Sequence, residues 1–416
     1  MSFPITVTPT IIDAVGRTIE LDAFNIGSST EEQWGPFIFG SAQYIVGFTN
    51  DVVSPRYLGV WKRTTGEWVE VGQNRSVPPQ STAVPGDVTD GQCYFDQGNG
   101  KIWLAYRDSA LKVTIVDFDC NTDTFGTPGA TLTLVGTQFW GRAKGQQLFR
   151  QEDGTFYLFF CDNVTPFGLY QLTYAAGAWT GPTLLDASTN NGNMLWSGLM
   201  DSAERKHLFY QRFSSTVSQD LRHISVDSSG SPGSSTLVRT ISGADAGGRY
   251  GGRGVILNGD TLIFPFKYTS GFDEYLEAYR GSPLSAPTFS TDELRVWTAG
   301  AETNISYPKI ILDKDGVARA FLQMWDGTLN QPLYMFTFSG SVWDGGTEIY
   351  NTEDTPPDWY SSPTATAMCQ FRGAHQFPSG SWLFVFAVTP QFVFSRFAGY
   401  YVSTGLVGCL YRAIQS

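Results

Sequence analysis

Asp153-Gly154-Thr155-Phe156-Tyr157-Leu158-Phe159-Phe160 opens on a turn pair and runs on as a strand whose odd and even positions are alike large and apolar. An antiparallel strand with one wet face alternates polar and apolar side chains, so this strand is covered on both faces. The unit that contains it closes on Gly177-Ala178-Trp179. The same closing phrase recurs as Gly66-Glu67-Trp68, Asp123-Thr124-Phe125, Pro287-Thr288-Phe289 and Ser341-Val342-Trp343. Its aromatics fall about 55 residues apart, with one double-length gap where a degenerate copy belongs. A period of that order marks propellers and other arrays.

Strands equivalent to 156–160 are expected at 44–48, 102–106, 207–211, 262–266, 317–322 and 382–386. Asn99-Gly100, Asp153-Gly154, Asn258-Gly259, Asp315-Gly316 and Ser379-Gly380 precede most of them. Such pairs supply the positive φ that a tight hairpin needs. Seven units of four strands predict an all-β, seven-bladed β-propeller with four-stranded antiparallel blades. Six blades with an irregular extra element is the alternative, because the fourth and seventh copies are poorly spaced. Residues 31–416 form a single propeller domain in this reading. Residues 1–30 precede the first repeat, and their strand-like stretches at 5–7 and 18–21 either close the ring or contact a partner.

Charged residues make up only 16% of the 416-residue chain, aromatics reach 15% and glycines number 45, which suits many short strands joined by tight turns. A net charge of −12 argues against nucleic acid and against anionic membrane surfaces as partners. The N-terminal Met-Ser-Phe-Pro-Ile-Thr-Val lacks the basic region and apolar core of a signal peptide, and no segment approaches the length of a membrane span. A cytoplasmic or virion location follows from that reading. Cys93, Cys120, Cys161, Cys369 and Cys409 are odd in number and show no CxxC spacing, so buried free thiols are expected. His207, His223 and His375 form no metal-ligand motif, and no Gly-x-Ser-x-Gly elbow is present. Neither a metal nor a cofactor is expected.

The run Gly251-Gly252-Arg253-Gly254-Val255-Ile256-Leu257-Asn258-Gly259-Asp260-Thr261-Leu262-Ile263-Phe264-Pro265 resembles a segment of the sialidase-like (Asp-box type) propeller superfamily. There a glycine-rich approach precedes a channel-lining strand, a turn and a second strand ending in proline. Tyr307-Pro308-Lys309-Ile310-Ile311-Leu312-Asp313-Lys314-Asp315-Gly316 is similar to the first hairpin of many such repeats. The resemblance is one of repeat style. An intact Ser-x-Asp-x-Gly-x-x-Trp box is absent, with Thr65-Gly66-Glu67-Trp68 a shortened echo, and the Arg-Ile-Pro opening of sialidases is missing. It therefore implies the fold without the activity.

Candidate ligand contacts lie where first strands begin: Arg142 and Lys144, Arg249 with Tyr250 and Arg253, Tyr307 with Lys309, and Arg372 with His375. Arginines from three blades could grip a carboxylate bidentately; the alternative is that each pairs with an acidic neighbour and is structural. Asp201, Asp245, Glu302 and Asp313 could supply a carboxylate pair for glycoside hydrolysis, against ordinary turn roles. Trp140, Trp196, Trp297, Trp325 and Trp359-Tyr360 lie outside the repeat and could stack on sugars, whereas Trp68, Trp179 and Trp343 recur with it and pack between blades.

Three roles fit these features. The first is a non-catalytic structural or receptor- and glycan-recognition propeller, a virion component of a phage included, with other protein chains as partners and a possible homo-oligomer. The second is a carbohydrate-active enzyme, a glycosidase or polysaccharide lyase taking acidic glycans, with a tyrosine such as Tyr250 or Tyr307 in a chemical role. The third is an intracellular protein-binding scaffold.

Overall fold

A computed structural model describes residues 33–49, 57–64, 69–73, 88–108, 111–134, 146–162, 166–189, 193–213, 218–242, 250–270, 273–298, 303–304, 308–325, 332–350, 368–378, 380–389, 396–403 and 410–411. The N-terminal segment 1–30 lies outside them. The chain divides into two compact units, one of Asn25–Lys62 with Val69–Ala244, the other of Asp245–Ser416 with Met1–Phe24 and Arg63–Trp68. The fold is an all-β propeller of four-stranded antiparallel blades.

Four sheets fall in the first unit. The first comprises β1 (Gln33–Phe39), β2 (Ala42–Thr49), β3 (Tyr57–Arg63) and β4 (Val69–Gln73). The second comprises β5 (Val88–Asp96), β6 (Lys101–Asp108), β7 (Lys112–Asp119), β8 (Thr124–Phe125) and β9 (Leu132–Thr133). The third has β10 (Gln146–Arg150), β11 (Phe156–Asp162), β12 (Gly168–Ala175) and β13 (Ala178–Ala187), and the fourth β14 (Met194–Met200), β15 (Lys206–Phe213), β16 (Ser218–Val226) and β17 (Thr236–Ser242).

Three sheets fall in the second unit. They are β18 (Tyr250–Gly251), β19 (Val255–Leu257), β20 (Thr261–Ser270), β21 (Asp273–Ser282) and β22 (Thr288–Thr298); β23 (Thr303–Asn304), β24 (Lys309–Leu312), β25 (Ala318–Trp325), β26 (Leu333–Thr337) and β27 (Thr347–Tyr350); and β28 (Met368–Gln376), β29 (Ser381–Thr389), β30 (Arg396–Ser403) and β31 (Leu410–Tyr411). Where five strands are counted, one strand position is broken in two: β18 and β19 both pair with β20, β23 and β24 with β25, and β8 and β9 with β7.

All seven strands expected from the apolar runs are second strands of their sheets. Their two-faced composition has a direct structural cause. Phe156, Leu158 and Phe160 join the core shared with the preceding sheet, while Tyr157, Phe159 and Cys161 join the core shared with the following one. Each large side chain buried this way contributes about 1.5–3 kcal/mol. The turn pairs behave as expected, with positive φ at Gly100, Gly154, Asn258, Gly259, Gly316 and Gly380.

The closing aromatics pack as the repeat implies. Tyr174 faces Trp179 across the last hairpin of its sheet, with ring centroids 5.0 Å apart, and Phe338 faces Trp343 at 5.1 Å. The degenerate copy is also accounted for: Pro232 bridges Val226 in the fourth sheet, at the place the aromatic holds elsewhere. Trp68 lies outside the described residues. Cys93, Cys120 and Cys161 are free thiols, the last two buried, and burial pushes the Cys120 thiol up to about 12. Among the described residues no helix is long and apolar enough to cross a membrane.

Candidate functional site

The first strands of consecutive sheets lie side by side in the second unit, β19 against β24 and β24 against β28. Each is irregular at one point. In the first of the three sheets the ladder leaves Gly251↔Phe266 and resumes at Val255↔Ile263, and Gly252 donates to the Pro265 carbonyl at 3.2 Å. Pro265 has no N–H to return, so the ladder stops there. Arg253-Gly254 then stand opposite Phe264 alone, a β-bulge of two residues against one. The Arg253 carbonyl accepts instead from Ile310 N–H of the neighbouring sheet, at 2.8 Å, in a parallel bridge with Lys309.

The second first strand is broken between Asn304 and Lys309, at a segment ending in Pro308. In the third, Phe371 pairs with Phe386 and Gly373 with Val385, which makes Arg372 the extra residue of a bulge. Lys309 Nζ stands 5.8 Å from the Phe371 ring centroid, placing it level with that bulge. Arg253 and Lys309, from successive first strands, are thereby paired by backbone geometry, and the Lys309 side chain reaches the Phe371 that precedes Arg372. His375 lies further along β28, half-buried and edge-on to Phe377 at 5.2 Å, and burial lowers its pKa from the usual histidine value.

Arg253 differs from five other arginines among the described residues. Arg150, Arg212, Arg222, Arg280 and Arg319 hold Asp96, Asp186, Asp220, Asp292 and Asp313, with N–O distances of 3.1, 3.1, 3.3, 2.5 and 2.8 Å. These five are structural, and none of them is a candidate ligand contact. The Arg253 guanidinium has neither hydrogen bond nor ion pair among the described residues. Its side chain is exposed to solvent, yet enough protein surrounds it for desolvation alone to lower its pKa from the usual arginine value. It keeps its charge at any working pH.

Gly252 permits this arrangement. A Cβ there would stand 1.4 Å from the Pro308 carbonyl oxygen and 3.4 Å from the Pro265 ring. Gly252→Ala is expected to cost about 1–3 kcal/mol as the two strands are forced apart. The readout is a lower urea midpoint at unchanged slope.

Below Tyr250 the sheet is polar and buried. Tyr250 pairs in register with Lys267, whose Nζ is 2.5 Å from Glu274 and 5.7 Å from the Trp297 ring centroid. Glu277 accepts from the hydroxyls of Tyr268 at 3.0 Å and Tyr279 at 2.5 Å.

Other expected site residues are placed differently. The Asp201 carboxylate accepts backbone N–H groups of Ala203 and Arg205 at 2.9 and 2.8 Å, and Asp313 those of Asp315 and Val317 at 2.9 and 2.8 Å. Both are turn caps, so neither belongs to a hydrolytic pair. Gln151–Thr155 and Asp227–Ser231 repeat the same five-residue turn. These turns interlock with their neighbours within each unit. Gln151 donates to Ser228 O at 2.8 Å, Glu152 N–H to Glu204 at 2.6 Å, and Lys314 N–H to Gln376 at 3.1 Å.

Trp196 and Trp297 are 7% and 8% exposed, so neither is a sugar platform as it stands. Trp196 is the extra residue of a bulge in β14, a position sequence periodicity does not reveal. His207 and His223 do form a pair. Their rings hydrogen-bond at 3.1 Å, and His207 reaches Asp201 at 3.3 Å, all inside the fourth sheet's core. Arg142, Lys144, Arg249, Tyr307, Asp245, Glu302, Trp140, Trp359 and Tyr360 lie outside the described residues. No group of three or more metal-ligating side chains occurs among the described ones.

No protein-family model and no curated relative matches the chain. Among solved structures, the polysaccharide lyase Uly1 is similar in fold, 12% identical over 96% of this chain and 95% of that chain, with a TM-score of 0.51. A family PL25 ulvan lyase bound to -[GlcA(1-4)Rha3S]- gives 11% identity, 74% and 83% coverage and a TM-score of 0.44. AofleA from Arthrobotrys oligospora gives 11%, 82% and 94%, and 0.44. At such identities the likeness is one of fold.

Proposed function

We propose that this propeller, with its seven sheets as blades, is a carbohydrate-active protein that takes acidic glycans and cleaves them by elimination. One observation carries the reading: an exposed guanidinium without an acidic partner among the described residues, Arg253, beside Lys309, in a chain of net charge −12. An uncommitted cation held by a bulged backbone suits a carboxylate or sulfate, and bidentate contact makes Arg the residue for it.

Hydrolysis needs two facing carboxylates, and Asp201 and Asp313 are spent on turns. Elimination asks less of the described residues. Arg253 and Lys309 would neutralise a uronate carboxylate, acidifying the proton on the adjacent carbon. A base removes that proton, the bond to the leaving sugar oxygen breaks as the C=C forms, and the leaving oxygen takes up a proton. Tyr250, three residues before Arg253, is the group that would move the proton. A structural or recognition role in a virion has no observation in its favour.

The test is incubation of the full chain with polyuronates, sulfated polyuronates and a neutral glucan, following the ultraviolet absorbance of the conjugated product and the new reducing ends. Elimination raises both signals on an acidic polymer. New reducing ends without absorbance indicate hydrolysis. Binding without either signal leaves a recognition protein, and no binding to any acidic polymer overturns the reading.

A further inference from the structure

We infer that Pro265, Gly252 and Pro308 form a positioning device that holds Arg253 out of its own sheet's ladder and so sets the reach of its guanidinium. The inference rests on the reading of Arg253 as the anion contact. Pro265 belongs to the second strand of its sheet, paired on its other side with Ala278, where a residue with an N–H would complete the ladder. In an antiparallel pair the N–H and C=O of a residue point to the same neighbour. Pro265 offers Gly252 its carbonyl and cannot offer the reciprocal donor.

The consequence falls on the next residue. Arg253 opens the bulge, and its carbonyl, which points away from its own sheet by the alternation of an antiparallel pair, accepts from Ile310 N–H of the adjacent sheet. The capture requires close approach, which Gly252 allows because it has no Cβ to meet the Pro308 carbonyl. Pro308, with fixed φ, sets the direction from which the strand carrying Lys309 and Ile310 arrives. A bulge of this kind re-aims a side chain. Pro265 touches no ligand in this account and acts only through Arg253.

The test uses the intact chain with Pro265→Ala, which restores an N–H at that position, and Pro308→Ala as the second variant, acting from the neighbouring sheet. Phenylglyoxal labelling of Arg253, quantified by peptide mass spectrometry, reads the guanidinium without any glycan. In Pro265→Ala the labelling rate should change several-fold at an unchanged urea midpoint. Affinity for the polyuronate that the wild type binds should fall about tenfold to a hundredfold, since small misplacements carry such factors. In an Arg253→Ala background Pro265→Ala should have no further effect on affinity.

Unchanged labelling and affinity in both variants overturn the device. So does a loss that adds in full on top of Arg253→Ala. If the wild type binds no acidic glycan while the labelling rate still responds to Pro265→Ala, the positioning stands and the proposed function fails.

Discussion

Arg253→Ala lowers affinity for a polyuronate about 10- to 100-fold, the loss of one charge-assisted contact worth about 1.5–3 kcal/mol. The fold should not pay for this change. The guanidinium has no partner among the described residues, so truncation strands no carboxylate, and the urea midpoint stays where it was. That combination separates Arg253 from Arg319, whose removal would leave the Asp313 turn cap without its 2.8 Å ion pair. Arg253→Lys should recover only part of the loss, because a lysine is a point charge without the guanidinium fork. Titration calorimetry at two salt concentrations reads both effects, with a shallower salt dependence expected for Arg253→Ala. An affinity equal to that of wild type would remove Arg253 from the site.

Stability is expected to fall as the pH drops below 6.5, with the buried histidines of the fourth sheet contributing. Burial lowers the His223 pKa to about 3, with the adjacent His207 adding to the shift, and His207 is itself lowered by burial against the pull of Asp201. The His223 ring is neutral in the folded chain at pH 6. In the unfolded chain a histidine binds its proton near 6.5. Between about 6.5 and 3 the unfolded state therefore holds more protons, and folding stability declines with falling pH. His223 alone contributes a slope of about 1.4 kcal/mol per pH unit in that window. The groups facing the pair are Asp201, Arg205 through its 3.8 Å contact with Asp201, and the Phe209 ring 5.2 Å from His223. Urea midpoints at pH 7, 6, 5 and 4 measure the slope. A His223→Gln variant should lose part of it, and an unaltered slope would place the acid sensitivity elsewhere.

The fold was largely legible because its signals are local. Turn pairs such as Asp153-Gly154 need positive φ, and a strand such as 156–160 needs cover on both faces; each is written in adjacent residues. The candidate site was legible where glycine crowds an arginine, as in Gly251-Gly252-Arg253-Gly254, a run whose guanidinium has no partner among the described residues. The bulges were not. Whether Arg372 or Trp196 is the extra residue depends on cross-strand register, set by partners such as Phe386 and Tyr210 that no local pattern reveals. Asp201 and Asp313 read as candidate carboxylates because an Asp capping its own turn and an Asp facing a ligand look alike in sequence. Trp196 and Trp297 read as exposed for the same kind of reason: loop proximity says nothing of depth. Pro265 was quoted as part of a resemblance, and its missing donor gained meaning only once Gly252 was seen opposite it.

The division of one strand's side chains between two cores, Phe156, Leu158 and Phe160 on one side and Tyr157, Phe159 and Cys161 on the other, makes the interface between sheets, and not the sheet, the thermodynamic unit. A fragment cut at a sheet boundary keeps every strand of its last sheet and still bares half of that sheet's apolar cover. Fragments of this chain should therefore cling to one another through those bared faces, and complementary halves should find each other more readily than either half survives alone.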